Sequence, residues 1–206
     1  MSVSINTQSS IRIESSKVIY FDPFKISESV HDADVIFITH DHFDHLDEES
    51  IQKIGKDDTV FVAPRSIKEK IVGLSGQRVG HFLTAGDEIE VSGLTVKAIP
   101  AYNKLKPFHT KGSGFLGYIV TMDGESYYVA GDTDSVKELQ EITCDTALVP
   151  VGGMYTMNSK EAAKLINHIR PKRAIPTHYG SIVGKKEDGE AFKSLVDPEI
   201  TVELLL

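Results

Sequence analysis

Residues 39–45 read Thr39-His40-Asp41-His42-Phe43-Asp44-His45 and follow directly on the apolar run Val35-Ile36-Phe37-Ile38. No other stretch of the 206 residues restricts the fold as tightly. Three histidines and an aspartate leave a strand together, so the strand end must be where the chain does chemistry. In an extended or turning backbone, residues two apart project to the same side. His40 and His42 can therefore face one cation, and Asp44 with His45, around the next bend, a second. Neutral imidazole and carboxylate suit zinc, manganese and iron, with no thiolate required. One segment cannot complete two coordination spheres, which demands further ligands at other strand ends. Asp132 closes Tyr127-Tyr128-Val129-Ala130-Gly131, and His178 follows Ala174-Ile175-Pro176-Thr177. His109 lies in the small-residue loop Phe108-His109-Thr110-Lys111-Gly112-Ser113-Gly114.

The rest of the chain supports a scaffold of strands. Apolar, β-branched and aromatic runs separated by Gly, Asp, Asn and Ser predict strands over 11–13, 18–21, 35–39, 60–63, 78–81, 88–91, 94–98, 117–122, 126–130, 146–150, 173–176 and 201–204. Asp123-Gly124 between two of them is a hairpin signal. Asn158 with Glu161 three residues on can cap a helix over 159–170, whose Ala162, Leu165, Ile166 and Ile169 share one face before Pro171 stops it. Shorter helices are expected over 48–54, 64–72, 135–141 and 190–195. Strands outnumber helices, and helices punctuate them throughout. The class is α+β, with helices on the outer faces of the sheets. No linker, repeat or shift in composition divides the chain, so one domain is expected over 1–206.

Composition narrows the classes. No apolar run reaches the ~18–20 residues of a membrane span, and residues 1–16 lack a secretion signal. The single Cys, Cys144, cannot form an intramolecular disulfide, and a cytoplasmic location follows as the expectation. A formal charge of −8, from 22 Lys+Arg against 30 Asp+Glu, argues against nucleic acid as partner. His31, His81 and His168 have no ligand-like neighbours and read as structural or solvent-facing. Asp22 reads as a turn residue that could support the site from below. Gly152-Gly153 allows a tight connection or close backbone approach, with Tyr155 beyond it able to face a substrate. Lys104, Lys106 and Lys111 form either a solvated loop or a patch for a phosphate or carboxylate.

The motif His40-x-His42-x-Asp44-His45, followed in order by His109, Asp132 and His178, resembles the signature of the metallo-β-lactamase superfamily of hydrolases. Ala101-Tyr102-Asn103, Ala130-Gly131-Asp132-Thr133-Asp134, Val149-Pro150-Val151-Gly152-Gly153 and Ile175-Pro176-Thr177-His178-Tyr179-Gly180 resemble its compact branch of ascorbate-phosphate lactonase-like proteins. That resemblance implies a four-layer αββα sandwich of two mixed sheets with helices outside. It implies one metal on His40, His42 and His109, a second on Asp44, His45 and His178, and Asp132 bridging them. Zinc is the first expectation, manganese or iron the alternatives. A metal-bound hydroxide would then attack a small ester, lactone or phosphoester, with Asp44 orienting it or taking its proton. Asp134 would hold a ligand imidazole in place. Asn103, Lys104 and Tyr155 are the residues expected to meet a small-molecule substrate, which an anionic group would suit. Two rivals stand beside this reading: a phosphodiesterase acting on nucleic acid or a cyclic nucleotide, and a non-enzymatic metal- or ligand-binding protein. Oligomeric state is left open.

Overall fold

The computed structural model of the protein describes residues 2–75 and 80–206. One sheet contains β1 (Ser2–Ile5), β2 (Ile11–Glu14), β3 (Val18–Phe21), β4 (Ala33–Phe37), β5 (Gly55–Pro64) and β6 (Gly80–Leu83), hydrogen-bonded in that order. The other contains β7 (Glu88–Val91), β8 (Leu94–Pro100), β9 (Leu116–Met122), β10 (Glu125–Val129), β11 (Thr146–Pro150), β12 (Arg173–Thr177) and β13 (Thr201–Val202), again in sequence order. Both sheets are mixed. β3 to β6 run parallel, as do β10 to β13, while the first strands of each sheet form antiparallel meanders.

Side-chain alternation explains the layers. In β4, Val35 and Phe37 point between the sheets and meet Tyr118, Val120 and Ile175 from the opposite sheet. Ile36 points the other way, onto Ile51 and Ile54 of α1 (Glu48–Ile54) and Ile71 of α2 (Lys68–Ser75). The same alternation in β11 sends Leu148 inward and Ala147 and Val149 outward. Their outer cover is Leu165 and Ile166 of α3 (Ser159–Ile169) and Phe192 of α4 (Glu187–Leu195). Strands buried on both faces read as continuous apolar runs, which is why β4 and β11 stand out in the sequence. The architecture is the expected αββα sandwich, with two mixed sheets inside and helices outside.

Local signals account for several elements. Asp123 (φ 52°) and Gly124 (φ 81°) form a two-residue turn that pairs Met122 with Glu125, the backbone of a type I′ hairpin. Asn158 accepts from Glu161 N at 2.9 Å and Glu161 Oε2 accepts from Asn158 N at 2.9 Å, a full capping box contributing on the order of 1 kcal/mol. Arg170 turns into the left-handed region (φ 49°) and ends α3 one residue before its expected stop. The expected helix over 64–72 begins as a 3₁₀ turn at Arg65–Ile67 and continues as α2, and that over 135–141 is a 3₁₀ helix, Lys137–Glu141. Residues 78 and 79 of the expected strand 78–81 lie outside the described residues, and the remainder falls in β6. Strand β1 was not expected. Its Ser-Val-Ser-Ile alternation is short, and it pairs only along the edge of β2.

Candidate metal centre

Four strands deliver the site. Asp22 follows β3, His40 lies just past β4, Asp132 just past β10, and His178 immediately after β12. Each strand belongs to a parallel run, so all four residues emerge at the carboxyl ends of strands, the edge where α/β sheets present functional groups. The two sheets touch there: Tyr118 Oη donates to Ile38 O at 2.7 Å, and Leu116 N donates to Thr39 O at 3.1 Å. Gly131 makes that contact possible. Its φ is +63°, and a Cβ would lie 3.0 Å from Thr39 Cβ and 3.1 Å from Leu116 O.

The seven expected ligands converge. His40, His42 and His109 form one group; Asp44, His45 and His178 form another; and His40, His45 and Asp132 form a third, with the candidate ligand atoms of each within 4.8 Å of one another. Asp132 lies between the groups. Its Oδ2 is 3.4 Å from His109 Nε2 and 3.3 Å from His178 Nε2, and its Oδ1 is 3.4 Å from His45 Nε2. Asp44 Oδ2 is 3.4 Å from His178 Nε2 and 3.7 Å from His45 Nε2. Except for His42, which is half-buried, all seven are buried.

Beneath the cluster, hydrogen bonds select the tautomers. Asp22, wholly buried, accepts from Thr39 N (2.8 Å), Thr39 Oγ1 (2.6 Å) and His45 Nδ1 (2.7 Å). The Thr39 hydroxyl, its proton committed to Asp22, accepts from His40 Nδ1 at 2.9 Å. Both imidazoles therefore carry a proton on Nδ1 and aim Nε2 into the cluster. The sequence reading of Asp22 as a support from below is the geometry found, and Thr39 is a link it did not include.

The environment suits a cation. His45 Nε2, both ring nitrogens of His178 and Asp132 Oδ1 are buried without a hydrogen-bond partner, and buried polar atoms rarely stay so without reason. Burial, aided by neighbouring imidazoles, pushes His40 well below the ordinary histidine range. Burial likewise takes His109 to about 4, against the pull of Asp132. Both are neutral and ready to ligate. Burial also opposes charge on His45, yet Asp132 and Asp22 overcome it and hold the ring at about 9. Three carboxylates thus face the imidazoles, and among the described residues no Lys or Arg ion-pairs with them. A metal cation would supply positive charge among these carboxylates, and the imidazole and carboxylate donors fit one.

The expected substrate residues divide. Tyr155 lines the cleft over the cluster. Asn103 is buried instead, its Nδ2 lying 2.7 Å from Tyr155 O, 2.9 Å from Phe108 O and 3.2 Å from His109 Nδ1. It braces the loop that carries His109. Lys104 turns away, donating to Ser135 O at 2.7 Å beside a separate groove. Asp134 touches no imidazole; it accepts from Lys104 N at 2.8 Å and binds the Lys106 ammonium. Lys111 pairs with Glu138 at 2.9 Å. The lysines near His109 are committed to loop structure. Gly152 serves close approach, since a Cβ there would run into the carbonyl oxygen of His178. His31 Nδ1 bonds Gly55 O at 2.8 Å, and half-buried Cys144 packs beside the α3 layer, both outside the site.

Comparison with known proteins agrees with this geometry. A family profile described as a beta-lactamase superfamily domain matches residues 3–178. The chain belongs to that superfamily. A UPF0173 metal-dependent hydrolase of Pyrococcus abyssi is 32% identical over 94% of this chain and 91% of its own. A crystal structure from Parabacteroides distasonis, described as a metal-dependent hydrolase, superposes with TM-score 0.80 at 32% identity, covering 98% of this chain and 91% of that one. A metallo hydrolase of Ignicoccus hospitalis shares the fold, with TM-score 0.79 at 23% identity over 98% and 93% of the two chains. The protein is accordingly a metal-dependent hydrolase of the superfamily. Among the described residues no helix is long and apolar enough to cross a membrane.

Proposed function

We propose that the protein is a dinuclear hydrolase of small esters, lactones or phosphoesters, working as one domain in the cytoplasm. The observation that carries this reading is the meeting of two ligand groups at one carboxylate, Asp132, beneath one cleft. His40, His42 and His109 would hold one divalent ion and Asp44, His45 and His178 the other, with Asp132 shared. Zinc leads, and manganese or iron suit the same donors. A bound pair supplies Lewis acidity toward the substrate oxygen and makes water acidic enough to ionise near neutral pH.

The chain's own residues do the rest. Asp22 and Thr39 fix a proton on Nδ1 of His45 and His40, which leaves Nε2 as the atom each ring would offer a metal. Asp44 lines the cleft and is the carboxylate positioned to take a proton from attacking water. His178 and His45 overcome the effect of burial and keep it ionised. Tyr155 borders the space where substrate sits. The net reaction adds water across the scissile bond, giving an acid and an alcohol, or the ring-opened hydroxy acid from a lactone. The lysines near His109 pair with Asp134, Glu138 and Ser135 and do not face a polymer beside the cleft, which supports a small substrate over nucleic acid.

The test is metal analysis of the purified full chain after supply of zinc and manganese, alongside His42→Ala and Asp132→Ala. Two ions per wild-type chain are expected, about one in H42A, whose residue belongs to a single group, and less than one in D132A. Less than one tightly held ion in the wild type refutes the proposal.

A further inference from the structure

The walls of the cleft have a different character from its floor. The cleft encloses about 910 Å³, with His42, Asp44, His109, Asp132 and His178 at its base. Phe43, Phe108, Met154, Tyr155, Ile182 and Val183 surround them. Several of these are held out in water: Phe43 is 68% exposed, Met154 67%, Phe108 49% and Ile182 39%. Single exposed apolar side chains are ordinary, but several gathered around one concave site mark a surface kept for an apolar ligand.

The walls come from four separate loops. Phe43 sits among the ligands after β4 and leans edge-on against Phe24, ring centroids 6.1 Å apart. Phe108, next to His109, meets Tyr155 edge-on at 5.3 Å, and Asn103 ties both backbone carbonyls together. Ile182 is positioned by Gln8, a fully buried residue whose main-chain oxygen accepts from His178 N at 2.9 Å and whose Oε1 lies 3.3 Å from Ile182 N. Each wall is thus fastened to the backbone of a ligand loop. An apolar group resting on them is held at a set distance from the ligands.

Charge on the walls is sparse. Beyond the ligands, the charged side chains of the cleft are Asp41, Lys185 and Asp188. Asp41 is bound to Lys70, and Asp188 accepts from Lys185 N at 2.7 Å. Lys185 is the single cation of the lining, too little to accompany a polyanion.

We infer that the substrate is a carboxylic ester or lactone bearing an alkyl or aryl group of several carbons, and not a phosphoester. The inference rests on the hydrolase reading and refines it. The apolar group lies on Phe43, Phe108, Met154 and Ile182 while the scissile C–O bond reaches the base. Hydrolysis yields the carboxylic acid and the alcohol, or one hydroxy acid from a lactone.

The test uses the metal-loaded full chain with p-nitrophenyl esters from acetate to decanoate, and bis(p-nitrophenyl) phosphate in parallel. About a four-fold gain in kcat/KM per added methylene is expected until the cleft is filled, from the transfer of each group out of water. Phe43→Ser and Met154→Ser, both at exposed positions, should flatten that slope. A second arm titrates acetate and octanoate into the metal-free protein by calorimetry, and octanoate should bind more than ten-fold tighter. A flat ester series, or faster cleavage of the phosphodiester, overturns the inference while leaving the hydrolase reading standing. If no metal binds and no substrate turns over, the hydrolase reading falls, and the calorimetric arm alone then decides: octanoate no tighter than acetate overturns the apolar site as well.

Discussion

Replacing Asp22 by Asn isolates the tautomer argument, because the side chain keeps its shape and Asn tolerates the left-handed backbone at this position (φ 46°). Three donors converge on the two carboxylate oxygens: Thr39 N at 2.8 Å on Oδ1, and Thr39 Oγ1 at 2.6 Å with His45 Nδ1 at 2.7 Å on Oδ2. An amide has one oxygen to offer. If it stays on the Thr39 N–H, the amide nitrogen faces His45 Nδ1 and forces that ring to accept. The His45 proton then moves to Nε2, the atom facing Asp132 and Asp44. The Thr39 hydroxyl, freed from the carboxylate, donates to His40 Nδ1 and turns the second ring the same way. Loss of one such supporting partner costs about 10- to 100-fold in metal affinity. That is about 1.4–2.7 kcal/mol, and two affected ligands place D22N toward the upper end. The metal-free fold should suffer less. It loses charge-assisted bonds but no longer buries a carboxylate whose desolvation already raises its pKa. A net loss of about 1 kcal/mol would lower Tm by about 2–4 °C. Competition against a chromophoric chelator reads the affinity, and melting with and without zinc separates ligand effects from folding. Wild-type zinc affinity in D22N refutes the reasoning, as does a drop in Tm equally large with and without metal.

The remaining predictions probe the supports. Asn103→Ala should lower kcat/KM about ten-fold by loosening the loop that carries His109 and Tyr155, with the ion on the Asp44 group retained; steady-state kinetics beside metal content checks this. Gly152→Ala should push the His178 carbonyl aside, costing about 1–3 kcal/mol in urea denaturation and weakening metal binding together. Asp145 is held at about 2 by Lys172, the Ser126 hydroxyl and the Ser126 amide. Its folded pKa lies below the unfolded value near 3.9, so its contribution is fully present above about pH 4 and is lost as pH falls through 2. Asp145→Asn should flatten the acid limb of stability by about 1 kcal/mol, a figure reduced for solvent screening of the exposed lysine, as read by denaturation at pH 2.5 and 5.

What was legible in the sequence was local or periodic. The β4 run, the Asp123-Gly124 hairpin and the Asn158/Glu161 cap each lie within a few residues, so their physics is written in one window. The candidate ligands were legible because His40, Asp132 and His178 come just after strand ends and His42, Asp44 and His45 continue the first of those segments. Side chains whose roles depend on partners far along the chain were not. Asp134 reads as support for an imidazole two residues past Asp132, yet its partners are Lys104 and Lys106, about thirty residues away. Lys104 reads as an anion contact because it is near His109 in sequence, but the loop folds it onto Ser135. Asn103 reads as a substrate contact, but it is buried against three groups that only the folded loop assembles.

Backbone strain ties these observations together. Gln8 (φ 51°), Asp22 (φ 46°), His109 (φ 57°) and His178 (φ 57°) all adopt the left-handed region, where a side chain costs about 1–2 kcal/mol. Each is either a candidate ligand or touches one through hydrogen bonds. A strand continuing in ordinary geometry would carry its next side chain along the sheet; a left-handed residue at its end turns the chain sharply and points that side chain over the edge. The strain persists because the elements around it are over-determined by two sheets packed through Phe37, Tyr118 and Ile175. The fold thus spends stability at four positions to bring imidazoles and carboxylates from separate strands into one cluster. Above the cluster, the exposed side chains of Phe43 and Met154 belong to none of the three ligand groups. If the cleft walls select the substrate as proposed, a substitution at Phe43 or Met154 should change which substrate is cleaved, while one at Asp22 should change whether any is.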